Sequence, residues 1–473
     1  MGLRRQILLG GTALALRQGI GMLLSLANLF FVIRIIGPDA YGIFAIAAAI
    51  SIFAIQVLSL GIGVYLIRHP QLTRDRLDQA FAYLVLAGGA SLLLAPVFSH
   101  GVLHLASISL QAFWPITALF ALIPIQLLAL VPLSQLERRL DYPVVARVEL
   151  LGQVVALSLA IPLALAGKGV WAPVVGVWGQ QTLLLVGYWL RFPYRPRWTW
   201  RGSLLKEMVA YGLGYSASAW AWQVRLPLVL TLVGRYVGTD AAGLVAMAVR
   251  IVEPLAFLNG IGWRISIPLL GRLQGDRRSL LRGVEEGALV QTLAVGSVFL
   301  VFTLVSPLVL PWLLGPAGDL VLKVLPYVAL GYLFNATFSL HSSALYVLRY
   351  NLDVFLFHLA HMGLLGITLA WGLPSFGLLG YGLAEVLALL SYALIHLFLL
   401  RRVGPLSLWE PLGWAIFLGL ALFAPHAGLW ALGPLGVWLA LPWSRSAWGL
   451  IRRHWLVWKG GYGERGAVGQ HRD

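Results

Sequence analysis

Arg34 to Ile50 reads RIIGPDAYGIFAIAAAI, and 201 residues later Arg235 to Ile251 reads RYVGTDAAGLVAMAVRI. Eight of the seventeen paired positions are identical: Gly37, Asp39, Ala40 and Gly42 return as Gly238, Asp240, Ala241 and Gly243. Most of the remaining pairs exchange one apolar residue for another. Each copy places a short polar turn between two long apolar stretches, where glycine stops one helix and aspartate caps the next. Read this way, the turn residues Gly37, Asp39, Gly42, Gly238, Asp240 and Gly243 are architectural and need touch no substrate. A membrane chain made of two copies of one unit is the usual plan of a transporter, with its substrate between the halves.

The chain around both copies is built for lipid. It is 59% hydrophobic and only 11% charged, less than half the ~25% charge of an ordinary soluble domain. Its apolar runs are each about 20 residues long, the length a helix needs to cross a ~30 Å hydrocarbon core. Backbone groups in lipid must bond within the protein, so helices are implied rather than open strands. There is no alternating ten-residue pattern of an outer-membrane barrel. The net charge of +16 is spread over short arginine clusters between apolar runs, which argues against a nucleic-acid partner. With no cysteine in the chain, disulfides and thiolate metal sites are excluded.

The apolar segments run 10–33, 41–66, 79–99, 113–134, 148–167 and 171–190, then 208–233, 241–268, 284–311, 325–347, 354–373 and 378–400. Two shorter ones follow at 412–425 and 429–443. The expected fold is thus an all-α integral membrane protein of about fourteen transmembrane helices. The shortness of the last pair leaves open twelve helices plus a re-entrant or tilted hairpin. The N-terminal MGLRRQILLGGTALAL reads as a retained first helix, because its apolar stretch continues without a convincing cleavage site. With the N-terminus placed in the cytoplasm, 26 lysines and arginines fall on the inside and 4 on the outside (Arg34, Lys168, Arg235 and Lys323). That bias fixes the orientation with both termini cytoplasmic. Six helices separate the two repeat copies, so both point the same way and the halves are expected to be related by an axis along the membrane normal. The expected division is a six-helix lobe over 1–206, a second over 207–402, and a helix pair with a basic cytoplasmic tail over 403–473.

Several stretches carry a family likeness. Arg34-x-x-Gly37-Pro-Asp-x-Tyr41-Gly42 resembles the first outer turn of the bacterial polysaccharide-export flippases. These belong to the superfamily that also holds multidrug exporters and the lipid II flippase. Gly167-Lys-Gly169-Val170-Trp171-Ala172, Arg195-Pro196-Arg197-Trp198, Gly377-Leu-Leu-Gly380-Tyr-Gly382-Leu-Ala384 and the basic loop Arg138 to Tyr142 extend it, in order, over about residues 1–400. The resemblance implies a two-lobed, V-shaped helical fold in the bacterial inner membrane. It also implies an activity: moving a polyprenyl-diphosphate-linked oligosaccharide, of the O-antigen type, from the inner to the outer leaflet. Polysaccharide polymerase and glycosyltransferases are then candidate partners. One departure stands out. Family members often carry an acidic residue late in helix 7, where this chain reads Arg225-Leu-Pro227-Leu-Val-Leu-Thr231. That argues against a proton- or sodium-coupled cycle through this position.

Charges inside the spans each ask for a reason, at about 2.5–3.5 kcal/mol apiece on insertion scales. Arg17 and Asn28 are eleven residues apart, close to three helical turns, and so share a face. Arg225, Arg250 and Arg264 add three more cations. One reading gathers Arg17, Asn28, Arg225, Arg250 and Arg264 around a cationic cavity, whose forked donors suit a diphosphate. Blander readings stand beside it. Arg250 and Glu253, at i and i+3, can neutralise each other. Arg17 and Arg264 can snorkel to an interface, and Arg225 precedes a bend at Pro227. Tyr215, Trp220 and Trp222 could stack on sugar rings, or serve as ordinary interfacial and packing aromatics. His358 and His361 share a face but lack the company a metal site needs. No Walker sequence is present, and no cofactor is expected. Two other functions remain in view: a cation-coupled drug exporter of the same superfamily, which would want intramembrane carboxylates, and a membrane glycosyltransferase or ligase, which would want catalytic acids in large outer loops.

Overall fold

The computed structural model describes residues 19–192 and 194–441, and every regular element among them is helical. Gly19–Leu58 (α1) is continuous over 40 residues. At ~1.5 Å per residue that is about 60 Å, twice the hydrocarbon depth. It is not one rod. Gly37 has φ 81° and ψ 168°, a conformation glycine adopts without steric cost, and Pro38 then starts the next leg where its missing N–H is not needed. The polar turn read from the sequence therefore divides α1 into two legs. A π-helical turn, Leu29–Ile33, follows Asn28 on the first.

Ile62–Arg68 (α2), Arg74–Leu105 (α3), Leu110–Arg138 (α4), Tyr142–Leu165 (α5) and Trp171–Arg191 (α6) follow. α5 and α6 are in backbone contact: a Cβ at Gly176 would lie 2.8 Å from the Ala156 carbonyl oxygen, the close approach that small residues permit in lipid. Arg138, at the end of α4, donates from its guanidinium to the carbonyls of Leu66, Ile67, His69 and Pro70 at 2.6–3.3 Å. Carbonyls in the last turn of a helix have no intrahelical N–H to accept from, and one forked cation serves several at once. Arg138→Ala is expected to cost about 2–3 kcal/mol, read as a lower unfolding midpoint in detergent. Arg138→Lys should recover only part of it.

Gly202–Gln223 (α7) and Arg225–Tyr236 (α8) come after a linker fastened to the start of α3. The Tyr194 hydroxyl donates to the Asp78 carboxylate, which also accepts the Arg197 N–H at 2.9 Å. Gln79 accepts the N–H of Arg201 at 2.5 Å. Burial and the facing carboxylate push the Tyr194 phenol well above its ordinary pKa, so it stays a hydrogen-bond donor.

Thr239–Leu255 (α9), Phe257–Leu273 (α10), Arg277–Leu314 (α11), Pro316–Val347 (α12), Asn351–Phe376 (α13) and Leu378–Arg402 (α14) complete the long helices. Trp409–Ala421 (α15) and Gly433–Ala440 (α16) end the described chain. Among the described residues, eight helices are long and apolar enough to cross a membrane, and two bent pairs, α9 with α10 and Trp409–Ala421 with Ala424–Ala440, pass together. Length and composition alone do not reproduce fourteen crossings: the first two expected spans run together across Gly37, the last two are short, and α6, α7 and α8, over the expected spans 171–190 and 208–233, do not pass. α15 and α16 pack on each other: Trp438 stacks on Phe417 at 4.9 Å and meets Trp414 edge-on at 6.3 Å. At 13 and 8 residues, neither helix crosses a ~30 Å core alone.

Contacts group the chain into two compact units with interleaved segments. One holds the residues up to Pro254 with Leu308–Leu325 and Phe355–Ser391. The other holds Leu255–Pro307, Pro326–Val354 and the residues from Tyr392 on. The second unit is knit by amides. Asn259 donates to Asn335 at 2.9 Å, Gln291 donates to Asn259 at 2.7 Å, and the Ser339 hydroxyl donates to Gln291 at 3.0 Å. Interhelical polar side chains in hydrocarbon hold helices together when they satisfy one another.

Candidate substrate cavity

In the first unit the two repeat turns meet back to back. A Cβ on Gly42 would sit 1.7 Å from the Thr239 carbonyl oxygen and 2.9 Å from the Gly243 nitrogen. A Cβ on Gly243 would sit 2.0 Å from the Pro38 carbonyl oxygen and 3.1 Å from the Gly42 nitrogen. Pro38 and Thr239 are themselves a 201-residue pair, so each contact recurs with the roles exchanged. This is the signature of a local two-fold. The Thr239 hydroxyl donates to the Asp39 carboxylate across it. Gly238, with φ 128°, lies beneath the Asp240 carboxylate, 2.6 Å from where a Cβ would stand. The two copies therefore occupy one end of the helices they join.

A cavity of about 190 Å³ lies among α1, α5, α6 and α9. Its polar lining is Ser25 and Asn28 from the first leg of α1, Tyr41 from the second, Gln153 from α5, Gln180 from α6 and Arg250 from α9. Helical spacing explains the convergence. Ser25 and Asn28 are three residues apart, as are Gln153 and Ala156, and Val177 and Gln180, so each helix turns one stripe inward. Asn28 and Arg250, which the sequence assigns to one cavity, meet here. The Arg250 guanidinium donates to the Tyr41 oxygen, and Glu253 is within electrostatic reach of Tyr41. On α5 and α6 a separate face forms an apolar groove of about 710 Å³, lined by residues including Leu151, Leu159, Trp178, Leu190 and Arg191. The hairpin thus shows amides on one side and hydrocarbon on the other.

Arg225 is placed differently. It opens α8 and donates to both oxygens of Glu385 on α14, at 2.7 and 2.6 Å. The arginine side chain is 13% exposed and the glutamate 2%, so the pair is buried and its charges balance. Trp222, just ahead, packs its ring against His358 and His361 at 5.4 and 5.6 Å. The Nδ1 of His361 is hydrogen-bonded to the Ser391 hydroxyl at 2.7 Å. Trp220 is half-buried on α7. Arg17 lies outside the described residues, as do the side chains of Tyr215 and Arg264.

Sequence reading found Asn28 and Arg250 because a charge or an amide in an apolar span is conspicuous. It passed over Ser25, Gln153 and Gln180, whose signal is weaker: neutral polar residues scattered through spans that otherwise read as lipid-facing. It also left Glu385 unmatched to Arg225, since 160 residues separate them.

Residues 31–317 match the family described as polysaccharide biosynthesis protein, a stretch that contains both repeat turns. The chain is 23% identical over 246 residues to the succinoglycan biosynthesis transport protein ExoT of Rhizobium meliloti (strain 1021), covering 52% of this chain and 49% of that one. It spans about half the length of this curated relative. In fold it is similar to the lipid II flippase MurJ in its inward closed conformation, with a TM-score of 0.70 at 14% identity over 92% of this chain and 98% of the other. It is also similar to a multidrug resistance MATE family transporter in an inward-facing conformation, with a TM-score of 0.58 at 15% identity over 81% and 98%. With an all-helical membrane fold and a match over more than half its length, the chain belongs to the polysaccharide biosynthesis protein family.

Proposed function

We propose that the protein is a flippase that moves a polyprenyl-diphosphate-linked oligosaccharide from the inner to the outer leaflet of the bacterial inner membrane. Both termini are cytoplasmic, and polysaccharide polymerase and glycosyltransferases are its partners. The lobes 1–206 and 207–402 alternate access to a central passage, and the repeat turns at the outer end part to release the sugar. Passage between leaflets requires no covalent step, so the protein acts as a transporter rather than an enzyme. The observation that carries this reading is Arg250. Its guanidinium lines a polar cavity within the span, where a forked cation matches phosphate oxygens.

Among the described lining residues there is no carboxylate, which favours an anionic passenger over a cationic drug. At about 30 Å³ per water, 190 Å³ holds a headgroup fragment rather than a whole oligosaccharide. A longer glycan therefore needs the passage to widen. The test uses vesicles reconstituted with the protein and a fluorescent polyprenyl-diphosphate sugar. Arg250→Ala should slow flipping about 100-fold, the equivalent of losing ~3 kcal/mol of charge-assisted hydrogen bonding. Arg250→Lys should restore part of the rate. An Arg250→Ala protein that inserts normally and flips at the wild-type rate would overturn the reading.

A further inference from the structure

Among the described residues, Gln153 has a buried Oε1 with no hydrogen-bond partner, and its side chain lines the cavity that contains Arg250. A buried carbonyl left without a donor is costly, at about 1–3 kcal/mol, and native structures rarely keep one without a reason. The surroundings hold it in place. Gly21 leaves just enough room, since a Cβ there would stand 3.4 Å from the Gln153 Nε2 and 3.5 Å from its Oε1. Gln180 reaches the same space from α6, and Ser25 and Asn28 reach it from α1.

Among the described lining residues, three amides and two hydroxyls beside one guanidinium make a divided chemistry. The guanidinium offers only donors, suited to phosphate oxygens. The amides offer both donors and acceptors, suited to groups that are donors and acceptors themselves: sugar hydroxyls or an N-acetyl group. Resting on the flippase reading, we propose that Gln153, Gln180, Asn28 and Ser25 form a subsite for the neutral sugar joined directly to the diphosphate, with the Gln153 carbonyl accepting from one of its hydroxyl or amide protons. Volume sets the scale, because 190 Å³ equals about six waters, room for about one ring, so ring and diphosphate are held together only as the passage widens. Selection at the first sugar fits a transporter whose glycan varies in length beyond it. Binding energy gathered at the linkage end serves every length alike.

The experiment compares two lipids on the purified full-length protein: a polyprenyl diphosphate bearing one N-acetylhexosamine, and the same polyprenyl diphosphate without sugar. Gln153→Leu should weaken binding of the sugar-bearing lipid about tenfold, one hydrogen bond's worth, and leave the bare lipid unchanged. Its unfolding midpoint without lipid should hold or rise, because an unsatisfied carbonyl has been removed; a residue that merely braced the helices would lower it. Gln180→Leu gives a second variant with the same expected split between the two lipids. If Gln153→Leu and Gln180→Leu bind both lipids as the wild type does, or lose both lipids equally, the sugar subsite is wrong. Arg250→Ala separates the two ideas, since it should weaken both lipids. Loss of both in Arg250→Ala with no split in the glutamine variants sinks the subsite alone. A wild-type protein that binds neither lipid sinks the flippase reading, and the subsite with it.

Discussion

Glu385→Leu is expected to lower the unfolding free energy in detergent by about 3–5 kcal/mol, because it leaves the Arg225 guanidinium buried without its counter-ion. Arg225 is 13% exposed and Glu385 2%, with their contacts at 2.6–2.7 Å, so solvent can do little to compensate. Arg225→Leu should destabilise by a comparable amount for the mirrored reason. The Arg225→Leu/Glu385→Leu double variant should recover most of the loss, since apolar side chains of similar volume replace a buried pair at little net cost. Thermal unfolding of the four proteins gives the coupling directly as a double-mutant cycle. Additive single effects would mean that the two side chains do not act as a pair.

The second large effect lies at the repeat turns. Gly42→Val places branched carbon where even a Cβ would be 1.7 Å from the Thr239 carbonyl oxygen. The obstacle is backbone, so no rotamer can relieve it, and the two turns must separate. Because the chain has no cysteine of its own, Asp39→Cys/Thr239→Cys provides a clean reporter where those side chains now share a hydrogen bond. In the otherwise native protein the pair should oxidise readily. Oxidation should arrest flipping in vesicles, and reduction should restore it, if parting of the turns is a step in transport. Adding Gly42→Val should reduce cross-linking at least tenfold. Unimpeded transport by the oxidised protein would show that the turns stay together throughout the cycle.

Much of this was readable in advance, and the part that was not has a common cause. Apolar runs long enough for lipid announce an all-helical membrane protein, because the solvent leaves the backbone few alternatives. The 201-residue echo points to a paired architecture; Gly37 takes the positive φ of a turn, whereas Gly42 lies within the second leg and leaves room for the Thr239 carbonyl. Asn28 and Arg250 share a cavity because each is a polar outlier on a helix with a fixed period. Periodicity, however, says which face a residue occupies and not what lies opposite. Hence Arg225 pairs with Glu385 from a distant helix, and Trp222 is engaged by His358 and His361. Gln153 and Gln180 gain meaning only once α1 and α9 close over them.

A contact in which Gly42 meets Thr239 while Gly243 meets Pro38 has the symmetry of a homodimer written into one polypeptide. A half-length chain could make the same junction with its own twin, but there any substitution would strike both sides together. Fusion removes that constraint. Position 239 carries a threonine whose hydroxyl serves Asp39, while its counterpart at 38 is a proline with no hydroxyl to give. Tethering the halves thus lets one side specialise while the other keeps the shape of the junction.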